Sequence, residues 1–205
     1  MSGTETVEPE EIPRRSLRKK VHLQHSAATS RTILVSLLAA FVYFLIELVP
    51  MPHVSVGFFE FGLIPTLAIV AVAGAIRGSL AGFLTGYLGR LLSDFLLNGT
   101  VAAFTLYAFA LGMLGLVVGL ANYDFTGGRS LAKLSVMSAI GLVFTILFTV
   151  VVGLMVERVA TIAAIGFQLV PLVTKGLPSV ILLTPLLGRL WGVFSARAAP
   201  EAVAE

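Results

Sequence analysis

The sequence predicts an all-α membrane protein, a bundle of about six transmembrane helices with both termini cytoplasmic. Three observations lead there. Apolar residues fill 57% of the 205 positions and charged residues only 12%. A soluble domain carries about 25% charge, so this chain lacks the polar surface to cover itself in water. Its charges are segregated, with Arg14, Arg15, Arg18, Lys19, Lys20 and Arg31 gathered in one polar N-terminal stretch beside Glu5, Glu8, Glu10 and Glu11. Beyond that stretch, apolar runs long enough for a helix to cross a hydrocarbon core recur along the chain.

Residues 1–31 read as a disordered basic cytoplasmic tail, suited to anionic lipid headgroups rather than nucleic acid. The first apolar run follows without a small-residue cleavage site, so a removable signal peptide is not expected. Residues 32–191 hold six candidate spans: Thr32–Val49, Phe61–Ile76, Ser79–Leu97, Thr100–Ala121, Leu131–Val156 and Val170–Trp191. The second is short, and the fifth is long enough to tilt or project. Between the fifth and sixth, Glu157–Leu169 reads as a loop with room for a short interfacial helix, and 192–205 as a disordered C-terminal tail. With the N-terminus inside, eleven of the fourteen Lys and Arg residues fall on the cytoplasmic side. That bias sets the orientation. Gly78, Gly82 and Gly86 stand four apart on the third span, with Gly89 near the same face, and Gly115 with Gly119 repeats the spacing on the fourth. Small residues let helix backbones approach closely, so these read as intramolecular packing seams.

The composition also excludes function classes. There is no cysteine, and the three histidines, His22, His25 and His53, have no metal-ligand spacing. No phosphate-binding glycine loop, HExxH motif or Ser/His/Asp set occurs at membrane depth. The reading is therefore of a non-enzyme, with no catalytic residues, no metal and no cofactor. No inverted repeat is visible, which argues against a self-sufficient alternating-access carrier.

Ionisable groups inside spans are costly and point to function. Arg90 and Asp94 stand one turn apart toward the outer end of the third span. They either form an ion pair that fixes helix rotation or line a polar ligand cavity. Asn98 and Thr100 add hydrogen-bonding groups at the same end. In the first outer loop, Pro50 to Phe61, Phe58, Phe59 and Phe61 flank Glu60. This segment suits either a flat heteroaromatic ligand or an interfacial aromatic belt. Glu47, at the outer end of span one, reads as reaching headgroup water. The last outer loop offers Glu157, Arg158 and Gln168, and Lys175 lies about a turn into the sixth span. Pro171, Pro178 and Pro185 lie seven apart on that span and free carbonyls that other groups must satisfy. Lys175 is a ligand or counter-ion candidate, or it snorkels. Tyr107 and Trp191 read as packing or interface anchors. On span one, Ser36 and Ala40 form a small pair four apart beside Ala39, suited to packing or partner docking.

Several stretches resemble the substrate-binding S component of energy-coupling factor (ECF) vitamin transporters. The strongest is FGLIPTLAIVAVAGAIRGSLAGFLTGYLGRLLSDFL, Phe61–Leu96, which looks like the family's second and third helices. FALGMLGLVVGL, Phe109–Leu120, is similar to its fourth, and GLPSVILLTPLLGRLW, Gly176–Trp191, to its closing helix. The resemblance implies a six-helix bundle in the plasma membrane that captures a vitamin from outside. Its partners would be a transmembrane coupling protein and two ATPase subunits. It implies a coupling-protein face on helix one at Ser36, Ala39 and Ala40, where the serine departs from the family's usual alanine. It implies an outer ligand site drawn from Phe59, Glu60, Arg90, Asp94, Asn98, Gln168 and Lys175. No signature for one vitamin stands out. The alternative is a non-transporting structural membrane scaffold resembling MreD, also a small multi-span bundle.

Overall fold

A computed structural model describes residues 29–56, 59–99, 106–155, 166 and 169–198. The tail 1–28, Gln168 and the 157–165 segment lie outside the described residues, as do Thr100 and residues 199–205. The described chain runs α1 (Ser30–Glu47), β1 (His53–Val56), β2 (Phe59–Gly62), α2 (Pro65–Arg77), α3 (Ser79–Asn98), α4 (Leu106–Val118), α5 (Gly128–Met155) and α6 (170–198). Four helices are long and apolar enough to cross a membrane, namely Ser30–Glu47, Ser79–Leu97, Gly128–Val152 and Leu172–Ser195. α2 and α4 are shorter apolar helices. An all-α membrane bundle is the architecture, with one addition. The segment read as an aromatic loop is an antiparallel hairpin, with His53 opposite Gly62 and Ser55 opposite Glu60. The last helix also continues beyond Trp191 to Ala198.

Local chemistry sets the element ends. The Thr29 hydroxyl caps α1 by accepting from the Thr32 amide at 3.3 Å. Pro65 opens α2 at a position where the missing N–H costs nothing, and the Ile64 amide just before it donates to Ser179 Oγ on α6 at 2.5 Å. α2 passes into α3 through Gly78 alone, at φ 91°, a conformation in which a Cβ would clash. Between α4 and α5, Asp124 Oδ1 accepts from the Thr126 amide at 3.0 Å and from its hydroxyl at 2.6 Å. Those bonds hold the Asp124 carboxyl below the usual carboxylate range.

α6 carries the mark of its prolines. Leu172–Gly176 and Ser179–Leu183 are π-helical, each preceded by a proline, and α-helix resumes at Thr184. Proline lacks the N–H that would close onto the carbonyl four residues back. For Pro185 that carbonyl is Ile181 O, and Ser135 Oγ of α5 donates to it at 3.2 Å. A neighbouring helix thus supplies the missing donor, as apolar surroundings require.

The bundle is built around α2, where eight of thirteen residues are buried. Leu67, Val70 and Ala71 pack with Leu111, Leu114, Leu142, Leu172 and Val180. α3 and α4 meet along the glycine seam. A Cβ on Gly86 would stand 2.6 Å from Leu111 O, and Gly82 and Gly115 approach each other more closely still. The seam is intramolecular, as the four-residue spacing suggested. Gly89 serves another contact, since its Cβ would meet the Tyr43 ring at 2.7 Å. Large apolar side chains such as Leu34, Leu37, Phe41, Phe144 and Leu147 point outward. In water such a surface would aggregate, whereas in a bilayer it is the solvated face.

Candidate functional site

The hairpin, the last turn of α1, the start of α2 and the start of α6 meet at one end of the bundle. They enclose a hollow of about 350 Å³ whose polar groups come from Glu47, His53, Thr66 and Lys175, with Ile64 and Pro171 among the apolar wall. Pro50 and Pro52 stand in the short connection between α1 and β1 and line the hollow. A second, almost wholly apolar space of about 430 Å³ adjoins it, sharing Ile46, Met51, Leu63 and Pro65. The two together have the size and the mixture of apolar wall and few polar groups of a small-molecule site.

Lys175 and Glu60 come together although 115 residues separate them. Lys175 Nζ donates to Glu60 Oε2, tying strand β2 to α6 across the hollow. The ammonium holds the Glu60 carboxyl below the usual carboxylate range. Lys175 lines the hollow while Glu60 sits on the exposed hairpin. Phe59 is half exposed on the same strand, its ring 6.5 Å from that of Phe61.

Arg90 and Asp94 face each other at 2.7 Å. The other guanidinium nitrogen donates to Glu47 Oε1, also at 2.7 Å, and the Arg90 head lies 5.1 Å from the centre of the Tyr107 ring. One cation thus spans two carboxylates and an aromatic face, an arrangement the planar guanidinium fork favours. The pair braces α1 against α3, and Arg90 does not itself line the hollow. Glu47 does, and its Oε2 is buried without a hydrogen-bond partner among the described residues. Glu47 therefore does not reach for headgroup water. Its position at the very end of α1 suggested solvent, but Arg90, 43 residues on, lies within reach and draws it inward. His53 and Thr66 also escaped the sequence reading; neither sits in a charged cluster or repeat that would have drawn notice. Asn98 ends α3 at the same end of the bundle, and its side chain lies outside the described residues, as does Gln168.

The small residues of α1 divide. Ser36 and Ala40 are turned into the bundle, at 0% and 3% exposure, and the Ser36 hydroxyl donates to Thr32 O at 2.7 Å. Ala39 alone of the three lies on the wall of an apolar groove that opens at the surface between α1, α2 and α6.

No curated protein matches the chain. It does match the family described as ECF-type riboflavin transporter, S component, over residues 26–191. The match takes in both strands, all of α1 to α5 and most of α6. The hairpin-covered hollow and the six apolar helices thus lie inside the matched span, and the chain belongs to the family of ECF-type riboflavin transporter S components.

Proposed function

We infer that this chain works as its family does, as a membrane subunit that binds a vitamin for uptake rather than as an enzyme. We propose that this chain captures a flavin-type vitamin from the outer face of the plasma membrane and passes it on within an ATP-driven complex. The observation that carries the reading is the hollow beneath the hairpin, lined by both Lys175 and Glu47. A flat ring system needs apolar walls, which the adjoining 430 Å³ space supplies through Ile46, Met51 and Leu63. A hydroxylated side chain needs donors and acceptors, which Lys175, His53, Thr66 and Glu47 supply. Glu60 and Phe59 act from the hairpin above, and Arg90 with Asp94 fixes Glu47 in place. Asn98 and Gln168 remain further contributors at that end.

The partners in this reading are a transmembrane coupling protein and two ATPase subunits, with both termini cytoplasmic. Docking would use the groove containing Ala39, since Ser36 and Ala40 shape α1 from within.

Riboflavin titrated into the purified chain in detergent tests the proposal through quenching of flavin fluorescence and a rise in unfolding temperature. A hundredfold excess over Kd adds about 2.7 kcal/mol of stability. Lys175→Ala should weaken binding about tenfold or more, the effect of one lost charged hydrogen bond. A chain that neither quenches riboflavin nor gains stability from it, or from any other vitamin, is a scaffold instead.

A further inference from the structure

The groove between α1, α2 and α6 has a built-in polarity. It encloses about 540 Å³ lined by Leu38 and Val42 of α1, Val72 and Ile76 of α2, and Leu190 and Trp191 of α6. Val42, Ile69 and Leu187 also line the 430 Å³ space, so the two run on from one another along α2. The floor is low because α2 presents Ala73 there, between two helices that rise on either side. From Pro65 to Arg77 the helix rises about 18 Å. One leaflet's share of the hydrocarbon core is roughly 15 Å. One acyl chain laid along the groove fits that length.

The far end is cationic. Arg77 closes α2, is exposed and borders the groove. Arg31 is exposed one turn before Val35, hence on the same face of α1. Neither makes an ion pair with a described residue, whereas Arg90 and Lys175 are paired and Lys133 donates to Asn122 O at 3.0 Å. No carboxylate borders the groove among the described residues. Two guanidinium groups with no ion-pair partner among the described residues, above an apolar trough, match a phosphate with a chain attached.

We propose that this groove binds one anionic phospholipid from the leaflet at the Arg31–Arg77 end, with its acyl chain along α2 and its phosphate between the two arginines. Among the described residues no carboxylate stands at the groove to attract a choline or ethanolamine cation, so lipids with net negative charge are preferred. In the free subunit the lipid keeps the trough filled, and a docking protein must displace it.

The chain contains one tryptophan, Trp191, and it stands in the groove. Its fluorescence therefore reports the occupant directly. The full chain would be placed in bilayers of equal parts phosphatidylglycerol and phosphatidylcholine, with bromine quencher on the acyl chains of one lipid or the other. Brominated phosphatidylglycerol should quench with an apparent association constant roughly thirtyfold above that of brominated phosphatidylcholine, given the attraction of about 1 kcal/mol for each of the two arginines near a lipid surface. Arg31→Gln/Arg77→Gln, both at exposed positions, should bring the ratio close to one. Arg129→Gln/Lys133→Gln, which removes equal charge away from the groove, should leave it high. Equal quenching by the two lipids in the unaltered chain overturns the proposal. So does an equal loss in both double variants, which would reveal general attraction, or no quenching at all, which would mean that protein fills the groove.

Discussion

At the scale of single residues, the most consequential contact joins Glu47 to Arg90. Half of this arrangement was legible in the sequence, because Arg90 and Asp94 are four apart and helical geometry alone brings them together. The other half was not, since nothing local links positions 47 and 90. Arg90 is largely enclosed, so removing it leaves two carboxylates facing each other in a poor solvent for charge. Arg90→Gln should therefore lower stability by about 2–4 kcal/mol, a value reduced for the partial exposure of the site. Adding Glu47→Gln should restore part of the loss rather than deepen it. Thermal unfolding of the two single variants and the double gives the coupling, and strict additivity would show that the pair does not interact. The direction in which Ser36 and Ala40 point was equally hidden, because small residues four apart look the same whether they face a neighbour in the bundle or a partner outside it.

At the scale of elements, periodicity revealed the glycine seam, and the structure assigns it to α3 and α4. Gly82→Leu should destabilise the chain by about 3 kcal/mol or prevent folding, because the added side chain must enter the backbone of α4. Gly128→Ala should be nearly silent, as nothing lies within 4 Å of the space a Cβ would occupy. Unfolding temperatures in detergent check both, and equal effects would mean that the seam is loose. The hairpin is the element the sequence concealed. Its strands have four residues each and are exposed along almost their whole length, so no buried face writes an alternating pattern into them. The prolines of α6 were visible, but their outcome depended on a serine of another helix. Only the tertiary structure shows that Ser135 answers Ile181 O.

For the molecule as a whole, hydropathy was enough for the all-α membrane architecture, because a bilayer permits few ways to satisfy a backbone. At the hairpin end of the bundle the contact of Lys175 with Glu60 ties β2 to α6, and this makes the tie sensitive to acid. The Glu60 carboxyl is held below its ordinary range, so the tie is complete at neutral pH and is lost as the medium falls through that lowered value. Spin labels at Val54 and Val173, both exposed, should move apart in acid in the unaltered chain, and already at neutral pH in Glu60→Gln. Separations that ignore both changes would show that the hairpin is held by other means. A last consequence comes from the brevity of α2. Thirteen residues rise only about 20 Å, against a hydrocarbon slab of roughly 30 Å. The helix at the centre of the protein is too short to cross such a slab upright, and the hollow at its N-terminal end lies among longer helices like a harbour behind a breakwater. On the reading proposed above, a thicker membrane would lengthen the way from water to that basin, and the fatty acids a cell makes would then help to set how readily a ligand reaches it.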